Sequence, residues 1–197
     1  MAQLTLIRHG ETAWSRALRH TGRTDVPLTE TGEEQARAAG RLVAGERFGH
    51  VFVSPLRRAR ATAELAGLSD AVAEPDLMEW DYGGYEGLTT SRIRETRPDW
   101  SLWRDGVVPG DAEHPGEQLE AVGARADRVL ARVRPLLAGD EDVALVAHGH
   151  VLRVLTARWL ELPPADGRLF WLATAGVCVL GFEREQPVVR GWNQRGA

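Results

Sequence analysis

Residues 4–10, Leu4-Thr5-Leu6-Ile7-Arg8-His9-Gly10, run from a short apolar stretch straight into charge and glycine. Residues 143–149, Val143-Ala144-Leu145-Val146-Ala147-His148-Gly149, do the same. Apolar runs of four or five residues without polar alternation are the pattern of strands buried on both faces, as in a parallel sheet covered by helices. In such a sheet, ligands bind beyond the carboxyl ends of the strands. The two His-Gly pairs are therefore expected to face one crevice, each glycine letting backbone N–H groups approach an anion closely.

The chain between and beyond these stretches alternates strand and helix patterns, which predicts an α/β fold: three α/β/α layers, a mostly parallel central sheet with helices on both faces. Thr31-Gly-Glu-Glu34 has capping-box spacing, and Ala36, Ala39, Leu42 and Val43 follow with helical period up to Gly45. Val51-Phe52-Val53 predicts a second strand. It leads into Ser54 as N-cap, Pro55 at the first helical position, and a helix over 56–66 stopped by Gly67. Leu119, Val122, Ala126, Val129, Leu130 and Val133 form one stripe of a long helix. A helix over 151–162 and a closing pair of strands over 177–182 and 188–192 complete the pattern. Residues 105–117, with Gly106, Pro109, Gly110, Pro115 and Gly116, read as a mobile loop inside one domain spanning 1–197 rather than as a linker.

The composition narrows the function. The chain has 197 residues, long enough to bury about 70% of its unfolded surface without disulfides. Cys178 is its only cysteine, which excludes a disulfide framework or a Cys-rich metal site and fits a reducing, cytoplasmic location. With 24 Lys and Arg scattered against 28 Asp and Glu, the net charge is -4, which argues against nucleic acid or an acidic membrane as partner. The first residues carry neither a basic n-region nor a long apolar run, so no export signal is expected.

Local cationic groups then need a local explanation. Arg57, Arg58 and Arg60 fall at a predicted helix start just beyond the Val51–Val53 strand, where helix N-termini and arginine forks both favour phosphate. The competing readings are plain ones: a solvated helix face for the arginines, a surface or core position for His9 or His148, and a metal pair for His148 and His150.

Five motifs, in order, then carry a resemblance. They are Leu6-Ile7-Arg8-His9-Gly10-Glu11-Thr12-Ala13-Trp14, Thr21-Gly22 through Gly32, Ser54-Pro55-Leu56-Arg57-Arg58 through Ala63, Glu79 through Gly87 in the pattern Glu-x-x-Tyr-Gly-x-x-Glu-Gly, and Ala147-His148-Gly149. The sequence resembles the histidine phosphatase superfamily, in its phosphoglycerate-mutase-like branch. The resemblance implies that His9 is the nucleophile and that Glu79 acts as acid and then base, with Glu11 as a weaker candidate for that role. Arg8, Arg58 and His148 are implied to surround the transferred phosphate. It further implies substrate contacts from Gly10, Ser15, Thr21, Gly22, Tyr82 and Gly149, a small phosphate ester as partner, and neither metal nor cofactor. Fixed cations and N–H groups suit phosphoryl transfer, which spreads charge over the equatorial oxygens.

Ser15 departs from the Asn more common at that place in the family, though a hydroxyl can serve. The insertion that cofactor-dependent mutases carry after Glu79 is missing, which favours the branch of sugar-bisphosphate phosphatases and small acid phosphatases over a mutase. A disabled scaffold is the other alternative. Arg57, Arg60, Arg92, Arg94 and Arg104 are possible contacts for a second phosphate. Trp80, Trp100 and Trp103 are read as either packing or pocket. A homodimer is left open.

Overall fold

The computed structural model describes residues 2–68 and 70–196. Six strands, β1 (Leu4–Arg8), β2 (His50–Val53), β3 (Val72–Ala73), β4 (Val143–Ala147), β5 (Val177–Glu183) and β6 (Gln186–Gln194), form one sheet in the order β3-β2-β4-β1-β5-β6. The first four in that order run parallel, and β5 and β6 close the edge antiparallel. Among the described residues seven α-helices accompany them: α1 (Ala13–Arg16), α2 (Glu30–Val43), α3 (Arg57–Leu65), α4 (Thr90–Arg94), α5 (Leu102–Asp105), α6 (Leu119–Ala138) and α7 (Gly149–Trp159).

Successive strand residues point to opposite faces, so β1 and β4 feed two cores at once. Leu4, Leu6, Val143 and Leu145 pack with Val122, Val129, Val133, Leu152 and Leu155 of α6 and α7. Ile7, Val53 and Val146 pack on the other face with Ala39 and Val43 of α2 and Ala59 and Ala63 of α3. This is the three-layer arrangement predicted from the apolar runs. Among the described residues no helix is long and apolar enough to cross a membrane.

The parallel register decides where the strands deliver their last residues. Arg8 pairs with Ala147 and Val53 with Val146. The ladder continues one step, with His9 N–H donating to Ala147 O at 2.9 Å and Ser54 N–H to Val146 O at 3.0 Å. His9, His148 and Ser54 thus leave the sheet at one level.

Three local expectations are corrected. The N-cap of α2 is Thr29, not Thr31: its Oγ1 accepts from Gly32 N–H at 3.0 Å, and its own N–H donates to Glu11 O at 3.0 Å. That tertiary bond starts the helix two residues early and sets Gly32 against the backbone of Glu11. The N-cap of α3 is Leu56, without a side-chain cap; the Ser54 hydroxyl accepts instead from Leu56 N–H at 3.4 Å and from His148. Residues 105–117, read as a mobile loop, are held in place. Val107 is buried, Trp100 Nε1–H donates to Gly106 O at 3.0 Å, Gly84 N–H to Val108 O at 2.9 Å, and Glu117 N–H to Asp81 O at 3.0 Å.

Candidate active site

His9 follows β1, is 4% exposed, and its Nδ1 lies 2.7 Å from Gly10 O. A carbonyl only accepts, so Nδ1 carries the proton and Nε2 keeps its lone pair. The ring is set 5.1 Å from that of His148, centroid to centroid. Burial first, then the neighbouring Arg58 and Arg8 cations, hold the His9 pKa well below the usual 6.5. At neutral pH the imidazole is uncharged, the form in which Nε2 can attack an electrophile.

Behind it lies a fully buried network. Arg58 Nε–H donates to His148 Nδ1 at 3.1 Å, so the His148 proton sits on Nε2, which donates to Ser54 Oγ at 2.7 Å. Burial, followed by Arg58 and His9, keeps His148 neutral as well. The rest of the Arg58 fork is spent on carbonyls, Nη1 on Thr24 O at 2.9 Å and Nη2 on Gly22 O at 2.8 Å and Thr21 O at 3.2 Å. That turn is held in its place by Glu86, which accepts from Gly22 and Thr24 N–H. Gly10 N–H donates to Thr62 Oγ1 at 3.0 Å.

In front of His9 opens a cavity of about 730 Å³, within the usual range for a small-molecule site. Its walls include Arg8, His9, Ser15, Thr21, Glu79 and Tyr82, and also His20, Arg94, Trp100, Trp103, His150, Arg153 and Trp171. Glu79 sits against the start of α7. Its Oε1 accepts from Trp80 N–H and Val151 N–H at 2.9 Å each, and its Oε2 from His150 N–H at 3.0 Å. These three N–H groups fix the orientation of the carboxyl. Tyr82 OH lies 2.6 Å from His150 Nδ1. Burial first, with Glu79 and Glu86 adding to it, raises the phenol well above 10, and burial together with Arg153 lowers His150 well below 6.5. The phenol therefore donates and the neutral imidazole accepts, leaving the His150 proton on Nε2.

The electrostatics suit an anion. Arg8 Nη1–H donates to Leu172 O at 2.6 Å, yet Arg8 Nε is buried with no hydrogen-bond partner, an uncommon state for a guanidinium nitrogen. A side chain at Gly149 would press on that guanidinium, its Cβ 3.2 Å from Arg8 Nε. Arg8, Arg19, Arg94 and Arg153 all line the cavity, and among the described residues Glu79 is the only carboxyl that does. Among the described residues none of the four arginines is ion-paired with a carboxylate.

The structure thus brings Arg8, His9, Ser15, Thr21, Glu79 and Tyr82 to the cavity wall and sets Gly10, Gly22, Arg58, His148 and Gly149 in the layer behind it. The backbone N–H groups of Gly10 and Gly22 are occupied by protein acceptors. Ser15 pairs with Thr12 in the capping box of α1. Glu11 accepts from the Thr29 hydroxyl. Of the possible second contacts only Arg94 reaches the cavity; Arg57 and Arg60 are exposed, and Arg92 and Arg104 pair with Glu95 and Asp105. Three of the four ring nitrogens of His148 and His150 serve Arg58, Ser54 and Tyr82. Among the described residues no group of three or more His, Cys, Asp or Glu gathers as a metal site. Sequence reasoning missed His20, Arg153 and Trp171. Arg153 alone had a signal, lying three residues after His150 on one face of α7.

A neutral buried imidazole beside fixed cations and a carboxyl, at the carboxyl ends of a parallel sheet, defines an enzyme that handles phosphoryl groups. Residues 4–195 match the histidine phosphatase superfamily (branch 1), and the chain belongs to it. Over 183 residues, 92% of this chain and 87% of the relative, it is 45% identical to an acid phosphatase of Mycobacterium tuberculosis. It is 35% identical to the sedoheptulose 1,7-bisphosphatase of Saccharomyces cerevisiae, over 80% of this chain and 67% of that one. The solved structure of an open reading frame of Mycobacterium tuberculosis superposes with a TM-score of 0.91 at 42% identity, covering 100% of this chain and 99% of the other. The chain is a phosphatase acting on phosphate monoesters.

Proposed function

We propose that the enzyme hydrolyses small phosphorylated sugars, bisphosphates among them, in two steps through a phosphohistidine at His9. The observation that carries this is the His9 ring itself, neutral, with Nδ1–H tied to Gly10 O and Nε2 free on a cavity that also holds the unpartnered Arg8 Nε. In the first step His9 Nε2 forms a bond to phosphorus as the bond to the ester oxygen breaks, and Glu79 supplies the proton that the leaving alkoxide takes. In the second step Glu79 takes a proton from water, which attacks the phosphohistidine and releases inorganic phosphate. Arg8 faces the phosphoryl oxygens directly. Arg58 and His148 fix the position and the neutral state of His9 from behind, and their positive and dipolar field opposes the charge that develops on those oxygens.

The outer wall supports the substrate class. Arg94 and Arg153 stand beyond the phosphoryl centre without carboxylate partners, and a monophosphate has no second anion for them. Arg153 is stacked on Trp103 at 4.7 Å and anchored to Gly167 O at 3.0 Å, a rigid fork suited to an anionic group. The test is kcat/KM over a panel: fructose 1,6-bisphosphate, sedoheptulose 1,7-bisphosphate, matched monophosphates, an aryl phosphate, and 3-phosphoglycerate with catalytic 2,3-bisphosphoglycerate, each followed for phosphate release and for isomerised product. The bisphosphates should lead their monophosphate counterparts by about tenfold or more, the worth of one charge-assisted contact. Equal values across the panel overturn the sugar-bisphosphate preference. Rapid interconversion of phosphoglycerates with little phosphate released overturns hydrolysis in favour of a mutase.

A further inference from the structure

Glu79 lies outside any helix or strand, between the 3₁₀ turn Pro75–Leu77 and the irregular residues 80–89. Such a segment does not by itself hold a carboxyl to within a fraction of an ångström. The Trp80 N–H and the start of α7 hold the carboxyl oxygens, and what holds the backbone that carries them lies outside the cavity. Arg125, on the second turn of α6, is 7% exposed. Its Nη1 donates to the carbonyls of Asp76 at 2.6 Å and Met78 at 2.8 Å, and its Nη2 to that of Glu79 at 3.5 Å. Its Nε and Nη2 also form a two-pronged pair with Glu117, at 2.7 and 2.8 Å. Glu117 grips the other flank. Its carbonyl accepts from the Trp80 indole N–H at 2.7 Å, its N–H donates to Asp81 O at 3.0 Å, and its carboxylate accepts from Asp81 N–H at 3.5 Å.

The two residues therefore bond to positions 76, 78, 79, 80 and 81, on both sides of the one carboxyl that faces the cavity. None of these bonds reaches the cavity, and neither residue lines it. We infer that the Arg125–Glu117 pair positions the backbone of Glu79, so that its carboxyl meets the N–H groups of α7 and the cavity together, and that the segment preceding α6 delivers Glu117 to close it. The inference rests on the reading of Glu79 as proton donor. A planar fork with five donors is what the three carbonyls and the carboxylate require, and lysine, a point charge with three donors, cannot reproduce it. A buried ion pair contributes little net stability against a hydrophobic replacement, so bracing the fold is not by itself a sufficient reason for this one. A misplacement of about 1 Å at a proton donor can cost about 100-fold in rate.

The test compares Arg125→Lys, Glu117→Gln, Glu79→Gln and the double variant Arg125→Lys/Glu79→Gln in the full chain. Each is assayed as kcat/KM, which stops at phosphoenzyme formation, on an alkyl phosphate and on p-nitrophenyl phosphate, whose leaving oxygen needs no proton. Circular dichroism and melting temperature are read alongside. Arg125→Lys and Glu117→Gln should each lose about 10- to 100-fold on the alkyl ester and about threefold or less on the aryl ester, and Arg125→Lys should add nothing further in the Glu79→Gln background. Equal losses on the two esters, or losses that multiply in the double variant, overturn the inference and leave a brace alone. Should Arg125→Lys not fold, Glu117→Gln carries the same comparison. If Glu79→Gln itself shows no difference between the esters, the proton-donor reading fails and this inference with it; if Glu79→Gln shows the difference and the pair does not, only the inference fails.

Discussion

At the scale of single residues the site is governed by which nitrogen of each imidazole holds a proton. Gly10 O assigns the His9 proton to Nδ1, Arg58 Nε–H assigns that of His148 to Nε2, and Tyr82 OH assigns that of His150 to Nε2. Each assignment follows from a partner that can only donate or only accept, apart from the phenol, whose proton is retained by its raised pKa. His20, whose Nδ1 lies 2.9 Å from Leu88 O, also keeps an Nε2 lone pair at the cavity wall, but among the described residues His9 alone combines a free lone pair with the neighbouring Arg8 and Arg58 cations. His9→Ala should therefore lose at least about 10³-fold in turnover, as expected when one member of a catalytic unit is removed, with the circular dichroism spectrum retained. Wild type quenched seconds after mixing with labelled substrate should carry phosphate that survives base and is released by acid, as a phosphoramidate does. Retention of a tenth of wild-type activity by His9→Ala, or no label on the wild-type enzyme, rules out His9 as nucleophile.

At the scale of elements, much of the fold is legible in the chain because burial on both faces leaves apolar runs without alternation. β1, β4 and the β5–β6 pair are visible for that reason, and α6 for its stripe. β3, two residues long, and the four- or five-residue helices α1, α4 and α5 carry too little pattern to be seen. Arg8, His9 and Glu79 are legible because strand ends and a dense motif mark them, whereas His20, Trp171 and Arg125 act through contacts at large sequence separation that no local pattern records. The start of α2 shows the same limit: Thr29 and Thr31 both fit a cap, and the bond from Thr29 N–H to Glu11 O decides between them. The consequence is tested at Gly32. A Cβ there would lie 2.0 Å from Glu11 O and 2.8 Å from Glu11 N, both backbone atoms that carry the loop holding His9. Helix propensity favours alanine by about 1 kcal/mol, but overpacking against backbone costs about 1–3 kcal/mol, so the clash wins. Gly32→Ala should lower both stability and kcat/KM, while Gly45→Ala, where nothing lies within 4 Å of the added Cβ, should shift stability by about 0.5 kcal/mol or less. Urea denaturation of the pair decides it, and a Gly32→Ala enzyme as stable and active as wild type removes the contact from the account.

At the scale of the whole molecule, keeping three imidazoles neutral, His9 and His148 buried and His150 half-buried, makes folding depend on pH. His9, His148 and His150 all have native pKa values well below 6.5, in each case chiefly through burial. Unfolded, each titrates near the ordinary 6.5, so between that value and the native pKa the unfolded chain binds more protons than the folded one. Stability then rises with pH through this window and is lost as pH falls below about 6.5. The slope tends to about 1.4 kcal/mol per pH unit for each histidine that stays neutral in the fold. Asp76, whose carboxyl is lowered from its ordinary 3.8 mainly by its hydrogen bond to Arg128, acts in the same direction but only as pH falls through that more acidic range, so the two effects separate. Chemical denaturation at intervals from pH 8 to pH 5 should show a flat stability above pH 7 and a steep decline below 6.5. His20 is also lowered from 6.5, chiefly by burial, and adds to the same slope, so His150→Gln, which keeps a polar side chain beside Tyr82 but cannot titrate, should remove about a quarter to a third of it while leaving the value at pH 8 less affected. A wild-type stability that does not change between pH 7 and pH 5 means that these histidines protonate inside the fold. The neutral nucleophile on which the mechanism depends would then be lost at the lower pH.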